Sequence, residues 1–161
     1  MKKLLVLTLA LLTMLTLAAC GGETAKAPEN LDLEAVYQGI LDAQGDKKDS
    51  LTMLPEPEDS VFVASSYPGL SDIACKQKVC YLAPVSGWAT EVLLVEVEKA
   101  EDVETVKEIF QKRIDAAKSD TDYAETAAQW ENAQVQSAGN YVGMIVLTEE
   151  YTIPENVFAA D

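Results

Sequence analysis

Residues 90–118 read TEVLLVEVEKAEDVETVKEIFQKRIDAAK, and the fold is decided in this stretch. Thr90 to Val97 is rich in valine and leucine, the composition that fits a pleated surface. Val92 to Val95 is apolar on both faces, which places the strand centrally in a sheet. From about Asp102 to Lys118 the period changes. Val103, Val106, Phe110, Ile114 and Ala117 then recur at helical spacing and form one apolar stripe. Glu101, Asp102 and Glu104 crowd the start of that helix, while Lys112, Arg113 and Lys118 crowd its end. Charges so placed oppose the helix dipole with the correct sign at both termini. Glu108 and Lys112 add an i,i+4 pair.

Working towards the C-terminus, Asp122 with Glu125 three residues later matches a capping box, opening a helix that runs to about Trp130. Strands follow at 132–137 and 141–147, joined through Ala138-Gly139-Asn140, where glycine and asparagine tolerate positive φ. Towards the N-terminus, Leu33, Val36, Tyr37, Ile40 and Leu41 share a helical face within 31–44, with Asn30 or Asp32 available as a cap. Residues 45–49 and 55–58 are polar or proline-containing breaks. Residues 59–67 fit either a strand or a short helix, and Tyr67-Pro68-Gly69 ends the element in both cases. Val79 to Val85 reads as a short strand. Strands joined by short connections, with helices in one block, predict an α+β domain over 31–161: a mainly antiparallel sheet packed against helices in two layers.

The first residues carry a different message. Met1-Lys2-Lys3 is basic, and the 14 residues from Leu4 to Leu17 are apolar except for three threonines. A spanning helix needs roughly 20 apolar residues, so this run has the size of a signal-peptide core. It ends in Leu17-Ala18-Ala19-Cys20, which resembles the bacterial lipobox, in which the cysteine sulfur receives a diacylglycerol before cleavage. The expectation is a signal peptide at 1–19 and a lipidated Cys20, followed by a small, polar tether to residue 30. Removing 19 residues leaves 142, and the loss of Lys2 and Lys3 takes the formal charge from −15 to −17. Two acyl chains anchor a protein stably where one does not. The expected location is therefore the extracytoplasmic face of the cell membrane, with the membrane as a partner through the lipid.

Composition narrows the chemistry. With 27 acidic residues, 12 basic ones and no histidine, catalytic arrangements that use imidazole lack their central group. The acidity also opposes nucleic-acid binding, which needs clustered lysine and arginine. Neither a nucleophile motif nor a phosphate-binding glycine loop is found. Residues 120–125 (DTDYAE) begin like a calcium loop but place Ala124 and Glu125 where a ligand and glycine belong. Glu96 and Glu98 read as solvated residues near a strand end, and Trp88 and Trp130 as core anchors. No catalytic residue, metal ligand or cofactor is assigned. With Cys20 acylated, Cys75 and Cys80 remain, and an oxidising compartment permits a disulfide between them if Lys76-Gln77-Lys78 forms a turn.

Several runs taken together, Tyr67-Pro68-Gly69-Leu70, Val79-Cys80-Tyr81, Ala89-Thr90-Glu91-Val92, Glu101-Asp102 through Arg113 and Asn132 through Val142, resemble a bacterial lipoprotein domain family, numbered four-three-five-eight among the domains of unknown function and found mostly in Gram-positive bacteria. The resemblance covers roughly 31–150. It implies one α+β domain on a lipoprotein, with Glu91, Arg113, Gly139 and Asn140 as the most family-typical polar or turn positions, and it implies no activity. The expected role is a non-enzymatic binding or structural module of the cell envelope, facing an envelope protein or wall polymer. The alternatives are a cation- or solute-capturing accessory lipoprotein of a transporter, and a carboxylate-dependent hydrolase.

Overall fold

The computed structural model describes residues 29–84, 89–120 and 124–159. The expected signal peptide, Cys20, most of the tether, Trp88 and Asp122 lie outside them. Helix α1 (Leu33–Asp42) opens at Asp32, whose carboxylate accepts the Glu34 N–H at 2.9 Å. The ambiguous segment resolves as helix α2 (Val61–Ser66), because the Ser60 hydroxyl accepts the Val63 N–H at 3.1 Å and caps it. Strand β1 (Leu54–Pro55) and the longer β2 (Cys75–Leu82), β3 (Glu91–Val97), β4 (Gln134–Ala138) and β5 (Tyr141–Val146) form one sheet. Helices α3 (Val103–Lys118) and α4 (Ala124–Gln129) lie between β3 and β4 in sequence.

The strand order is β1-β2-β3-β5-β4, with every pair antiparallel. β3 is central and each of its seven residues is buried. The β4–β5 connection is the expected hairpin. Gly139 adopts φ +55°, and Asn140 donates from its side chain to the Val97 carbonyl at 3.2 Å while its own carbonyl accepts the Val97 N–H. Asn140 thus fastens the hairpin to the central strand.

Alternation along the strands divides the interior into two cores. Leu93, Val95 and Val97 of β3 join Val142, Met144 and Val146 of β5 beneath Val106, Phe110 and Ile114 of α3. Val92, Leu94 and Ile145 face the other way, beneath Val36, Tyr37 and Ile40 of α1 and Phe158 of the C-terminal segment. The α+β class with an antiparallel sheet is as the sequence predicts, but the two expected layers become three. The reason lies in β3 itself: a strand apolar on both faces requires cover on both. The second cover depends on Gly143, where a β-carbon would lie 2.8 Å from Leu94 Cδ2 and 3.0 Å from Phe158 Cζ. Among the described residues no helix is long and apolar enough to cross a membrane.

Candidate functional site

Charge inside the first core is concentrated at Glu91, which begins β3 and is 4% exposed. One carboxylate oxygen accepts the Tyr67 hydroxyl, and the other accepts Arg113 Nη2 at 3.0 Å. Tyr67 reaches it from the end of α2 and Arg113 from the last turns of α3. The guanidinium carbon stands 4.6 Å from the Trp130 ring centroid and 5.7 Å from that of Phe62. Both rings lie within cation–π range. Burial opposes the Arg113 cation, but the Glu91 charge outweighs it and the arginine pKa is raised. Burial, and then the charge and hydrogen bond of Glu91, push the Tyr67 phenol well above its ordinary range. Both oxygens of Glu91 are engaged, so the group clasps α2, β3, α3 and the turn after α4 together. The sequence singles out Glu91 and Arg113 separately, and the structure unites them. Tyr67 reads only as the end of an element, because nothing local reveals the carboxylate it meets 24 residues later.

The second core has its own buried acid. Glu96 is 7% exposed, in contrast to its expected place on a solvated edge, while Glu98 is exposed as expected. Its oxygens accept Lys76 Nζ and Gln77 Nε2, each at 2.8 Å. Gln77 also donates to the Leu31 carbonyl at 2.8 Å and accepts the Leu33 N–H at 3.1 Å, so its amide meets the entry to α1 as a neighbouring strand would. The Leu31 N–H in turn donates to the Tyr141 hydroxyl at 3.0 Å.

The expected Cys75–Cys80 disulfide is not formed, and both thiols are free. Lys76-Gln77-Lys78 is strand, not turn, because its side chains are held by the sheet and by Glu96. A bulge between Cys75 and Gln77 turns both cysteines to the same face, but they pair with Val97 and Leu93 respectively. Four strand residues span ~13 Å, against the ~4.4–6.8 Å between α-carbons that a disulfide tolerates. Burial, helped by the charges of Glu91 and Glu56, pushes the Cys80 thiol up to about 12. Trp130 is a core residue, as its sequence reading suggests.

An opening available to a ligand lies at the sheet end where β3 begins and β5 finishes. This cavity of about 650 Å³ is bounded by the hydroxyls of Ser50, Thr52, Thr90, Thr148 and Tyr151 and by the amides of Gln129 and Asn132. Glu125, Glu149 and Glu150 complete its polar lining, which contains no lysine or arginine. Some of these groups are already paired: Gln129 accepts the Ala89 N–H at 3.0 Å, and Tyr151 donates to Ser50 at 3.3 Å. Thr90 differs. It is 5% exposed, and no hydrogen bond among the described residues engages its hydroxyl. Every described side-chain polar atom sealed from solvent has a partner, so this hydroxyl opens onto the cavity it lines. Sequence reasoning does not find the site, since its lining comes from four separate stretches of chain.

A family model described as "Domain of unknown function (DUF4358)" matches residues 65–147. The match takes in the whole Tyr67–Glu91–Arg113 clasp and stops short of α1 and of the Thr148–Tyr151 wall of the cavity. No curated protein and no solved structure matches the chain.

Proposed function

This chain belongs to the DUF4358 family, a domain of unknown function, and from that premise we propose that it is a lipid-anchored, extracytoplasmic binding module and not an enzyme. The leader and the Leu17-Ala18-Ala19-Cys20 sequence support the anchor. One observation carries the binding role: the buried carboxylates of Glu91 and Glu96 have both oxygens occupied by groups of the same domain. Their work is internal, holding elements in place. What faces outward is an acidic surface and an open cavity lined by both polar and apolar groups.

Ten residues between Cys20 and Leu31 can place the domain no more than a few nanometres from an anchored Cys20, which raises its effective concentration toward membrane neighbours. At −17 the mature domain should prefer a basic partner surface, with association that weakens as salt is added. The anchor is tested by expressing the full chain in a bacterium. The wild type is expected in the detergent phase with a diacylglycerol mass on Cys20, and Cys20→Ser in the aqueous phase or as uncleaved precursor. A freely soluble mature wild type would contradict the anchor. Turnover of a glycan or peptide, abolished by changing a single carboxylate to its amide, would overturn the non-enzymatic reading. The cavity favours capture of a small solute as a second reading, for the reasons that follow.

A further inference from the structure

The sheet-end cavity has the makings of a specific site. Its volume of about 650 Å³ falls within the ~300–1,000 Å³ typical of small-molecule pockets. Its polar lining is one-sided in charge and rich in oxygen. Three glutamates line it with no lysine or arginine among the lining residues; Ser50, Thr148, Tyr151 and Gln129 are engaged within the protein, which leaves the hydroxyls of Thr52 and Thr90 and the amide of Asn132 for a ligand. An anionic ligand would meet like charge here with no cationic side chain in the lining, the placed ammonium beside it being that of Lys47 on the Glu150 carbonyl. A bare metal ion fits poorly as well. Among the described residues no three acidic or cysteine side chains converge closely enough to hold one, and the hard cations require six to eight oxygens at ~2.3–2.6 Å or a strict octahedron. Carboxylates that do not converge suit a cation that pairs with one of them and meets the rest of the cavity through hydrogen bonds.

Thr90 supplies the second, independent observation. A threonine at 5% exposure ordinarily satisfies its hydroxyl within the protein. Here the hydroxyl has no partner among the described residues and opens onto the cavity. Its position is fixed by the strand: its carbonyl accepts the Ala83 N–H at 2.9 Å, and Val92, two residues along the same face, is fully buried. The hydroxyl is therefore a preset donor and acceptor at the cavity wall. Leu51 and Ala128 add small apolar surfaces beside it, against which the carbon face of a ring can rest.

We infer that this cavity binds a small organic cation bearing both a primary ammonium and several hydroxyl groups, of the amino-sugar class, with the ammonium at Glu149 and the ring hydroxyls toward Thr90 and Thr52. This deepens the binding-module reading and rests on it, but its test does not depend on lipidation. The full chain, purified in detergent micelles, is titrated with glucosamine, glucose and calcium chloride while ligand-observed saturation-transfer NMR is recorded. Glucosamine is expected to bind saturably, and glucose, the same ring without the ammonium, about tenfold more weakly, the scale of one charge-assisted hydrogen bond. Glu149→Gln, at an exposed residue, and the near-isosteric Thr90→Val should each weaken glucosamine severalfold. Thermal melts of both variants show whether the domain is intact; should Thr90→Val fail to fold, Glu149→Gln alone decides. Equal binding of glucose, binding of neither sugar, displacement of glucosamine by calcium at lower concentration, or intact variants that bind like wild type would each overturn the assignment. Micelle partitioning of the same sample reports separately on the anchor, so failure of one reading is not mistaken for failure of the other.

Discussion

Glu91 is a deeply buried charge whose partners explain why it can be there. A carboxylate at 4% exposure is tolerable only with its charge answered, and Arg113 and Tyr67 answer it together. Glu91→Gln leaves the arginine half-buried without its counter-charge, and chemical denaturation is expected to show a loss of ~3 kcal/mol, the lower end for breaking a buried pair. Removing both charges together, as Glu91→Met with Arg113→Leu, should recover most of that loss, because the pair's net contribution is small beside the cost of orphaning one member. A double variant no better than the single would mean that the clasp contributes far more than charge neutralisation. The cysteines are a second case at this scale. Iodoacetamide at neutral pH should reach half-buried Cys75 slowly and Cys80 only on denaturation, since burial raises both thiols and Cys80 to about 12. Denatured, unreduced protein should show both thiols free, and a missing pair would restore the disulfide.

Among the elements, those with a strong local period were legible and those shaped by distant partners were not. The 31–44 stripe became α1 and the 102–118 stripe became α3, with ends within a few residues of expectation. β3 and β5 were legible because valine and leucine runs bounded by turn residues leave little choice. β2 was anticipated only from Val79, whereas it begins at Cys75. Lys76, Gln77 and Lys78 look like loop until their partners, Glu96 and Glu58, are known. The third layer was missed for the same reason, since Phe158 finds its place only against a glycine on β5. That contact predicts that Gly143→Ala costs ~1–3 kcal/mol, the usual range for overpacking a core. Phe158→Ala should relieve the part of this cost that the ring imposes, while Leu94, at 2.8 Å, keeps the rest. A double-mutant cycle measures the coupling, and strict additivity would show that the ring is not what Gly143 accommodates.

For the molecule as a whole, the two buried clusters set opposite limits on pH. Burial alone would raise the Glu96 carboxyl, but hydrogen bonds from Lys76 and Gln77 outweigh it and hold it below its ordinary 4.5. Its contribution to stability is complete above 4.5 and is lost as pH falls through the lower folded value. Tyr67 works in the other direction. With its phenol raised above 10.0, its contribution is complete below that pH and is lost as pH rises further. Melting temperature should therefore fall on both sides, the alkaline fall beginning near pH 9 because the Cys75 and Cys80 thiols are raised from 9.0 as well, and Glu96→Gln should flatten the acid limb while leaving the alkaline one. An unchanged acid limb would assign acid sensitivity to other carboxylates.

The bonds at the entry to α1 also have a mechanical meaning. Leu31 is gripped at its carbonyl by Gln77 of β2 and at its N–H by Tyr141 of β5, strands that flank β3 on either side. If the chain is held from its N-terminal side, any pull enters the domain at that grip. The load then passes sideways into the two strands beside the central one before it can peel the helix from its end. Leu31 would act as an anchorage point, so that drag on the domain stretches the approach to it while the sheet and its cavity keep their shape.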